Sequence, residues 1–227
     1  LTESVVGFGG GAGSGVGPRL SSNDSDVIGK LNLSYVLNDD VMTYFQWAEG
    51  FRSGGSNDQT SAAIANVVIP EGFTSDSLQS FELGIKSTLA DGAVVANAAI
   101  YFLEWSDIQL QDQATDGQLT FPFRGNGGAA EVKGIEFNVV ANVSENLEIS
   151  IGGSYSNAEL VEDNPIPSSG MSGDSIPYVP SLTFSASASY EWNLSRDGLT
   201  GFLSADVAYV DDRKTELRPD NALQLAL

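Results

Sequence analysis

The sequence predicts an all-β chain, an antiparallel up-and-down portion of a transmembrane β-barrel with about eight strands. Three observations predict it. Residues 181–192 read SLTFSASASYEW. Strand side chains alternate with a period of two, so Leu182, Phe184, Ala186, Ala188, Tyr190 and Trp192 share one face, and Thr183, Ser185, Ser187, Ser189 and Glu191 share the other. The same alternation recurs about eight times along the chain. Its connections switch between very short and long, the asymmetry of a membrane barrel with tight turns at one rim and longer loops at the other.

Residues 1–26 are rich in Gly and Ser and read as a loop. A first strand covers about 27–37, with Leu31, Leu33, Tyr35 and Leu37 on the apolar face and Lys30, Asn32 and Ser34 opposite. Asn38-Asp39-Asp40 turns the chain into a second strand over about 41–51, with Phe45 and Trp47 outward. After a long segment, 52–76, the third strand (about 77–90) sets Phe81, Leu83 and Ile85 against Glu82, Gly84 and Lys86. Asp91-Gly92 closes a hairpin, because Gly accepts the positive φ of a tight turn.

The fourth strand spans about 93–112 and should project beyond the bilayer on the loop side. A loop over about 113–128 contains Pro122 and the glycines of 125–128. The fifth strand, about 129–144, puts Ile135, Phe137, Val139 and Ala141 outward against Gly134, Glu136, Asn138 and Asn142. Glu145-Asn146 leads into the sixth, about 147–161, with Leu147, Ile149, Ile151 and Tyr155 together. A Pro/Ser/Gly loop fills about 162–178, and the seventh strand is the opening example. Ser195–Gly198 turns it into the eighth, about 199–210, which groups Leu203, Ala205, Val207 and Tyr209.

Short turns thus fall at one rim and long loops at the other. Tyr35, Tyr190 and Trp192 lie near the short turns; Trp47, Trp105, Tyr155 and Tyr209 lie toward the long loops, as two interfacial girdles require. About ten residues at roughly 3.3 Å each, tilted by about 40°, project to about 25 Å, the height of an apolar membrane band. A soluble antiparallel sandwich also alternates its faces. Polar inner faces in strand after strand, with aromatics at both strand ends, favour the barrel.

Composition narrows the chemistry. The 227 residues have no Cys and no His, which removes thiol chemistry, the Ser-His-Asp triad and the commonest general base and metal ligand. Hydrophobic residues make up 41% and mean hydropathy is -0.05. No apolar run approaches the roughly 18–20 residues of a membrane helix. A net charge of -20 argues against nucleic acid as a partner. The acids gather in the expected loops, including Asp24, Asp26, Asp58, Asp76, Asp112, Asp116, Glu162, Asp163, Asp174, Asp211 and Asp212. They form a solvated surface, or one that meets cation-rich lipopolysaccharide or a cationic ligand. Gly7–Ala12 matches G-x-G-x-x-A but lacks the flanking strand and helix a dinucleotide site needs. Asp24 and Asp26 do not complete a calcium loop. Glu136 and Glu148 share an inner face without the signs of paired acid–base work. No cofactor, metal or catalytic residue is expected, so the chain does not read as an enzyme. It starts at Leu1, which reads as a piece cut from a longer protein.

The stretch EGFRSGGSN, 49–57, resembles a motif in the barrels of TonB-dependent outer-membrane receptors. Its Gly50, Phe51, Arg52, Gly54, Gly55 and Asn57 are followed by Pro70-Glu71. FELGIK, Phe81–Lys86, is similar to the family's recurring (Y/F)ELG-K strand through Glu82, Gly84 and Lys86. The run Asn97–Gln111 resembles the next family strand. GNGGAAEVKGIEFNV, 125–139, resembles the loop leading into a "KG-E" strand, with Gly134 and Glu136 in the motif. Val179-Pro180 is similar to the start of a late barrel strand.

The resemblance covers about 27–210. It implies a barrel of about 22 strands around a plug domain, of which eight strands are about a third. Residues 1–227 would be a partial barrel domain without the plug or the final strands. It also implies an outer-membrane importer of a scarce bulky nutrient, typically a ferric siderophore. Its partners would be outer-membrane lipid and lipopolysaccharide, its own plug, and TonB acting through the plug-side region. The long loops would be extracellular and the short turns periplasmic. The glycines let the backbone bend where strand becomes loop. Arg52 carries a rigid donor fork. Arg52, Asn57, Gln109, Gln111, Arg124 and Asn126 are candidates for lining the outer mouth, while pairing of the motif's polar groups with one another or with the plug is the competing role. Two other functions stay open: a complete eight-stranded anchoring or adhesive barrel, in which the first strand pairs with the eighth, and a secreted ligand-binding sandwich.

Overall fold

The structure, a computed structural model, describes residues 27–64, 66–115, 120–163, 170–194, 198–215 and 217. In chain order the elements are β1 (Lys30–Asn38), β2 (Val41–Arg52), β3 (Gly55–Ser56), α1 (Gln59–Ile64), β4 (Gly72–Phe73), β5 (Asp76–Leu89), β6 (Val94–Ser106), β7 (Gln109–Thr115), β8 (Thr120–Asn126), β9 (Ala130–Ser144), β10 (Leu147–Leu160), β11 (Leu182–Asn193) and β12 (Thr200–Val210). Eight strands form one sheet in the order β1-β2-β5-β6-β9-β10-β11-β12. Every neighbour in it is antiparallel. The sheet is open, with β1 at one edge and β12 at the other, so the first strand does not pair with the last. The Gly7–Ala12 segment, Asp24, Asp26 and most of the Ser195–Gly198 turn lie outside the described residues.

Register carries the expected faces across the whole wall. Leu33, Phe45, Leu83, Ile100, Ile135, Tyr155 and Leu182 stand in one continuous row from β1 to β11. Leu33 is 57% exposed, Leu83 53%, Ile100 54% and Ile135 49%, so this row packs into no dry core. Phe184, at 38%, is also exposed. A contiguous apolar face of this extent requires a non-aqueous surround, which is the lipid of a transmembrane barrel. The neighbouring row, Asn32, Gln46, Glu82, Tyr101, Gly134 and Ser156, is polar or small and faces the other way. On the outer face the apolar band gives way to Lys133 and Asn157 on β9 and β10, and on β2, β5 and β6 it ends one row later, at Glu49, Gln79 and Glu104, whose row continues to Glu131 and Glu159. Residues beyond it toward the long connections, Asp76 among them, are outside the span.

The short connections close as the sequence requires. The Asn38 side chain accepts from the Asp40 amide at 2.9 Å. Ala90, Asp91 and Gly92 all have positive φ. Ser144 Oγ accepts from the Asn146 amide at 3.2 Å. The long fourth strand breaks. Asp107 adopts φ 54°, ends β6, and lets β7 pair with β8 in a separate hairpin. The expected loop at 113–128 is therefore half hairpin, because Thr120–Asn126 finds a partner in Gln109–Thr115. Trp105 also departs from the outer girdle. Its parity is opposite to that of Ile100 and Phe102, and it shares the wet face with Leu78 and Gly50.

On the wet face two glycines seat aromatic rings. Gly84 lies opposite Tyr44 and Gly134 opposite Tyr101, and a Cβ on either would collide with the facing ring. Gly134→Ala is expected to destabilise the folded barrel wall by about 1–3 kcal/mol. Gly50→Ala, where nothing lies within 4 Å of the added carbon, should stay within about 0.5 kcal/mol. Heat-modifiability on gels reads both. The Gly134 loss should shrink in a Tyr101→Ala background, since the ring it displaces is then gone. Gly50 is thus a strand residue in open space, without the bending role its place in the motif suggested, whereas a Cβ on Gly54 would meet the Phe73 carbonyl at 2.5 Å.

Candidate functional site

Apart from Ala99 on the wet wall of β6, the buried apolar residues sit at the long-connection end, not between layers. Ala62, Val67, Ile69 and Phe123 pack α1 and its following segment against the β7–β8 hairpin. Ile108, Ala130, Leu160 and Leu217 form a second cluster under it. Two connections that leave the sheet separately are therefore joined above it.

Asp76 is the hub of that joint. It is 2% exposed at the first position of β5, directly opposite Arg52 at the end of β2. Its carboxylate accepts from Arg52 Nε at 2.9 Å and is ion-paired with Arg52 Nη2. It also accepts from the Arg52 amide at 3.2 Å, Trp105 Nε1 at 3.0 Å and the Gln109 amide at 3.1 Å. The Arg52 guanidinium lies 4.6 Å from the Trp105 ring centre. Burial pushes the Asp76 carboxyl upward, but the Arg52 fork, the Gln109 amide and the Trp105 indole outweigh it and hold the group below its ordinary 3.8. Such a carboxylate stays ionised and keeps all its donors.

Gln109 extends the clasp. Its side-chain amide donates to the Arg52, Ser53 and Thr74 carbonyls at 3.3, 3.0 and 3.1 Å. Asn126 accepts from the Thr74 amide at 2.7 Å and donates to the Thr74 and Asp107 carbonyls at 3.0 and 2.8 Å. Asn57 pairs with the Arg124 backbone in both senses, at 2.7 and 2.9 Å, and donates to the Pro70 carbonyl at 3.1 Å. The Glu71 carbonyl accepts from the Asn57 amide at 2.9 Å. Asp58 starts α1 by accepting from Ser61 Oγ at 2.5 Å and the Ser61 amide at 3.0 Å, bonds that hold its carboxyl low.

The expected motif residues therefore separate into two groups. Arg52, Gly54, Gly55, Asn57, Pro70 and Glu71 belong to the loop clasp, together with Gln109 and Asn126. Phe51, on the outer-face parity, is half-buried. Glu82, Gly84, Lys86, Gly134 and Glu136 lie on the wet wall. There Tyr44 donates to Glu82 at 2.5 Å, and Lys86 Nζ sits 5.3 Å from the Tyr44 ring centre. Glu136, Lys86, Asn97, Asn138 and Ser154 line an open groove of about 620 Å³. Gln111 and Arg124 project from the β7–β8 hairpin, where they are register partners. Sequence reasoning missed Asp76 and Trp105 as members of the clasp. The signal was parity: both fall on the wet face two or more residues past the apolar run.

A family model described as TonB dependent receptor-like, beta-barrel, matches residues 4–224. The chain belongs to the TonB-dependent receptor β-barrel family. This family comprises outer-membrane receptors. The pesticin receptor of Yersinia pestis is 26% identical over 168 residues, which cover 74% of this chain and 23% of that protein. The TonB-dependent barrel described here thus spans about a quarter of the length of the curated relatives it matches. Among solved structures, the ferric yersiniabactin uptake receptor FyuA of Yersinia pestis superposes with a TM-score of 0.66 at 23% identity, covering 91% of this chain and 29% of that one. BauA, the ferric preacinetobactin receptor of Acinetobacter baumannii, gives 0.65 at 19% identity, covering 87% and 27%. These likenesses carry the fold of TonB-dependent barrels to this chain.

Proposed function

We propose that this chain is part of the barrel wall of a TonB-dependent transporter that imports a ferric siderophore across the outer membrane. The observation that carries the reading is the face segregation of the eight-stranded sheet: oily residues outward in continuous rows, a polar wall inward, and long connections clasped together at one rim. A wall of this kind encloses a water-accessible interior within lipid. Relatives whose names include ferric yersiniabactin and ferric preacinetobactin supply the cargo class.

In this reading the clasped connections face the exterior and the short turns the periplasm. The wet wall, with Glu82, Glu136 and Lys86, seats the plug domain. TonB acts on that plug, and the acidic outer rim meets lipopolysaccharide. Transport needs no bond chemistry in the barrel. Uptake of radiolabelled ferric siderophore by cells expressing the receptor should fall to background when TonB is deleted. Uptake that continues unchanged without TonB would overturn the proposal.

A further inference from the structure

Four of the six mouth candidates have their polar side chains engaged on backbone or on Asp76: Arg52, Asn57, Gln109 and Asn126. Arg124 is different. All of its hydrogen bonds to described residues run through its backbone, and its guanidinium meets only the Phe73 ring, at 5.9 Å from the centre. Among the described residues it has no ion pair, in a chain of net charge -20. It borders a cleft of about 410 Å³ between the β3–β4 side of one connection and the β7–β8 hairpin of the other. The cleft has Phe73 and the buried Phe123 as apolar surfaces, and Gln111 offers an amide with no partner among the described residues. The Asp58 carboxylate on its border hydrogen-bonds Ser61 and stays ionised, so Arg124 is the positive charge of the cleft.

We propose that this cleft is a ligand contact. The Arg124 fork, seated over the Phe73 ring, grips an oxyanion; resting on the siderophore reading above, the ligand is an anionic ferric chelate. A guanidinium presents paired donors that match the adjacent oxygens of a chelate or carboxylate. The backbone that carries Arg124 is already tied to the opposite connection before the ligand arrives, by Asn57 at 2.7 and 2.9 Å. Preorganisation of this sort lowers the ordering cost of binding.

Equilibrium binding to the whole receptor tests the proposal. The probes are the anionic iron(III) tris-catechol complex and a neutral iron(III) tris-hydroxamate complex. Arg124→Ala should weaken the catechol complex by about ten- to a hundredfold, the loss of charge-assisted hydrogen bonds. Arg124→Glu should weaken it further, and Arg124→Lys should restore part of the affinity as a point charge without the fork. The hydroxamate complex should change by less than about twofold. Amide exchange at residue 124 should match the wild type, showing that the clasp is intact. Wild-type affinity of Arg124→Ala and Arg124→Glu for the catechol complex would overturn the proposal and leave the siderophore reading standing. Equal losses for both complexes, or a wild-type receptor that binds only the neutral one, would also overturn it. A wild-type receptor that binds neither ferric probe would also overturn the proposal, while the siderophore reading is decided separately by the TonB-dependent uptake measurement.

Discussion

Asp76→Ala should release both long connections while leaving the sheet in place. The substitution strands the Arg52 guanidinium, the Trp105 indole and the Gln109 amide at once. Hydrogen bonds to a charged group contribute roughly 1.5–3 kcal/mol each, and a buried donor left without a partner costs about 1–3 kcal/mol. The Arg52 side chain is 48% exposed and recovers water, so the total should be about 2–4 kcal/mol rather than the sum of the parts. Hydrogen exchange should accelerate at the Arg52 and Gln109 amides, and protease should nick 53–75 and 107–128, while β9–β12 stay protected. Asp76→Asn, which keeps an acceptor but not the charge, should fall between. Unchanged protection at Arg52 and Gln109 would show that the clasp is held by its apolar clusters alone. The pH dependence follows from the lowered Asp76 carboxyl. A depressed value makes the clasp fully stable above the ordinary 3.8, and its contribution is lost as pH falls through the lower folded value.

Leu83→Arg should be comparably severe, through a different cause. Leu83 is the middle of the outward run Phe81, Leu83 and Ile85 on β5 and is 53% exposed. In water that exposure would make arginine harmless. In lipid an arginine near the midplane of a barrel strand destabilises by about 2–4 kcal/mol. Asn32→Arg, on the wet face of β1, should change stability by less than about 1 kcal/mol, because its surround is polar. The folded fraction recovered from outer membranes, resolved by heat-modifiability, separates the two. Equal tolerance of both substitutions would remove lipid from the account of the outer face.

The long strands were legible because their information is local. Alternation such as Leu203, Ala205, Val207 and Tyr209 fixes both the element and its face, and turns such as Asn38-Asp39-Asp40 fix the register. The clasp was only half legible. Arg52, Asn57, Gln109 and Asn126 were visible as polar residues at the right rim, yet their partners are 13 to 67 positions away. No periodic signal encodes such distances. The break at Asp107 was also hidden, because a left-handed Asp in a polar stretch looks like any strand continuation. Trp105 was legible in principle. Its odd position in a strand whose even positions, Ile100 and Phe102, face lipid already placed it inside.

The outward-lipid, inward-water arrangement is measured most directly by nitroxide scanning of residues 135–140 in β9 of the membrane-embedded receptor. The chain contains no cysteine, so each introduced label reports one site in it. Labels at 135, 137 and 139 should collide strongly with dissolved oxygen and weakly with a water-soluble nickel chelate. Labels at 136, 138 and 140 should lose that oxygen preference, giving a period of two across six consecutive positions. Uniformly low collision rates with both reagents at 135, 137 and 139 would mean that a protein layer covers those side chains, and the membrane-wall architecture would be contradicted.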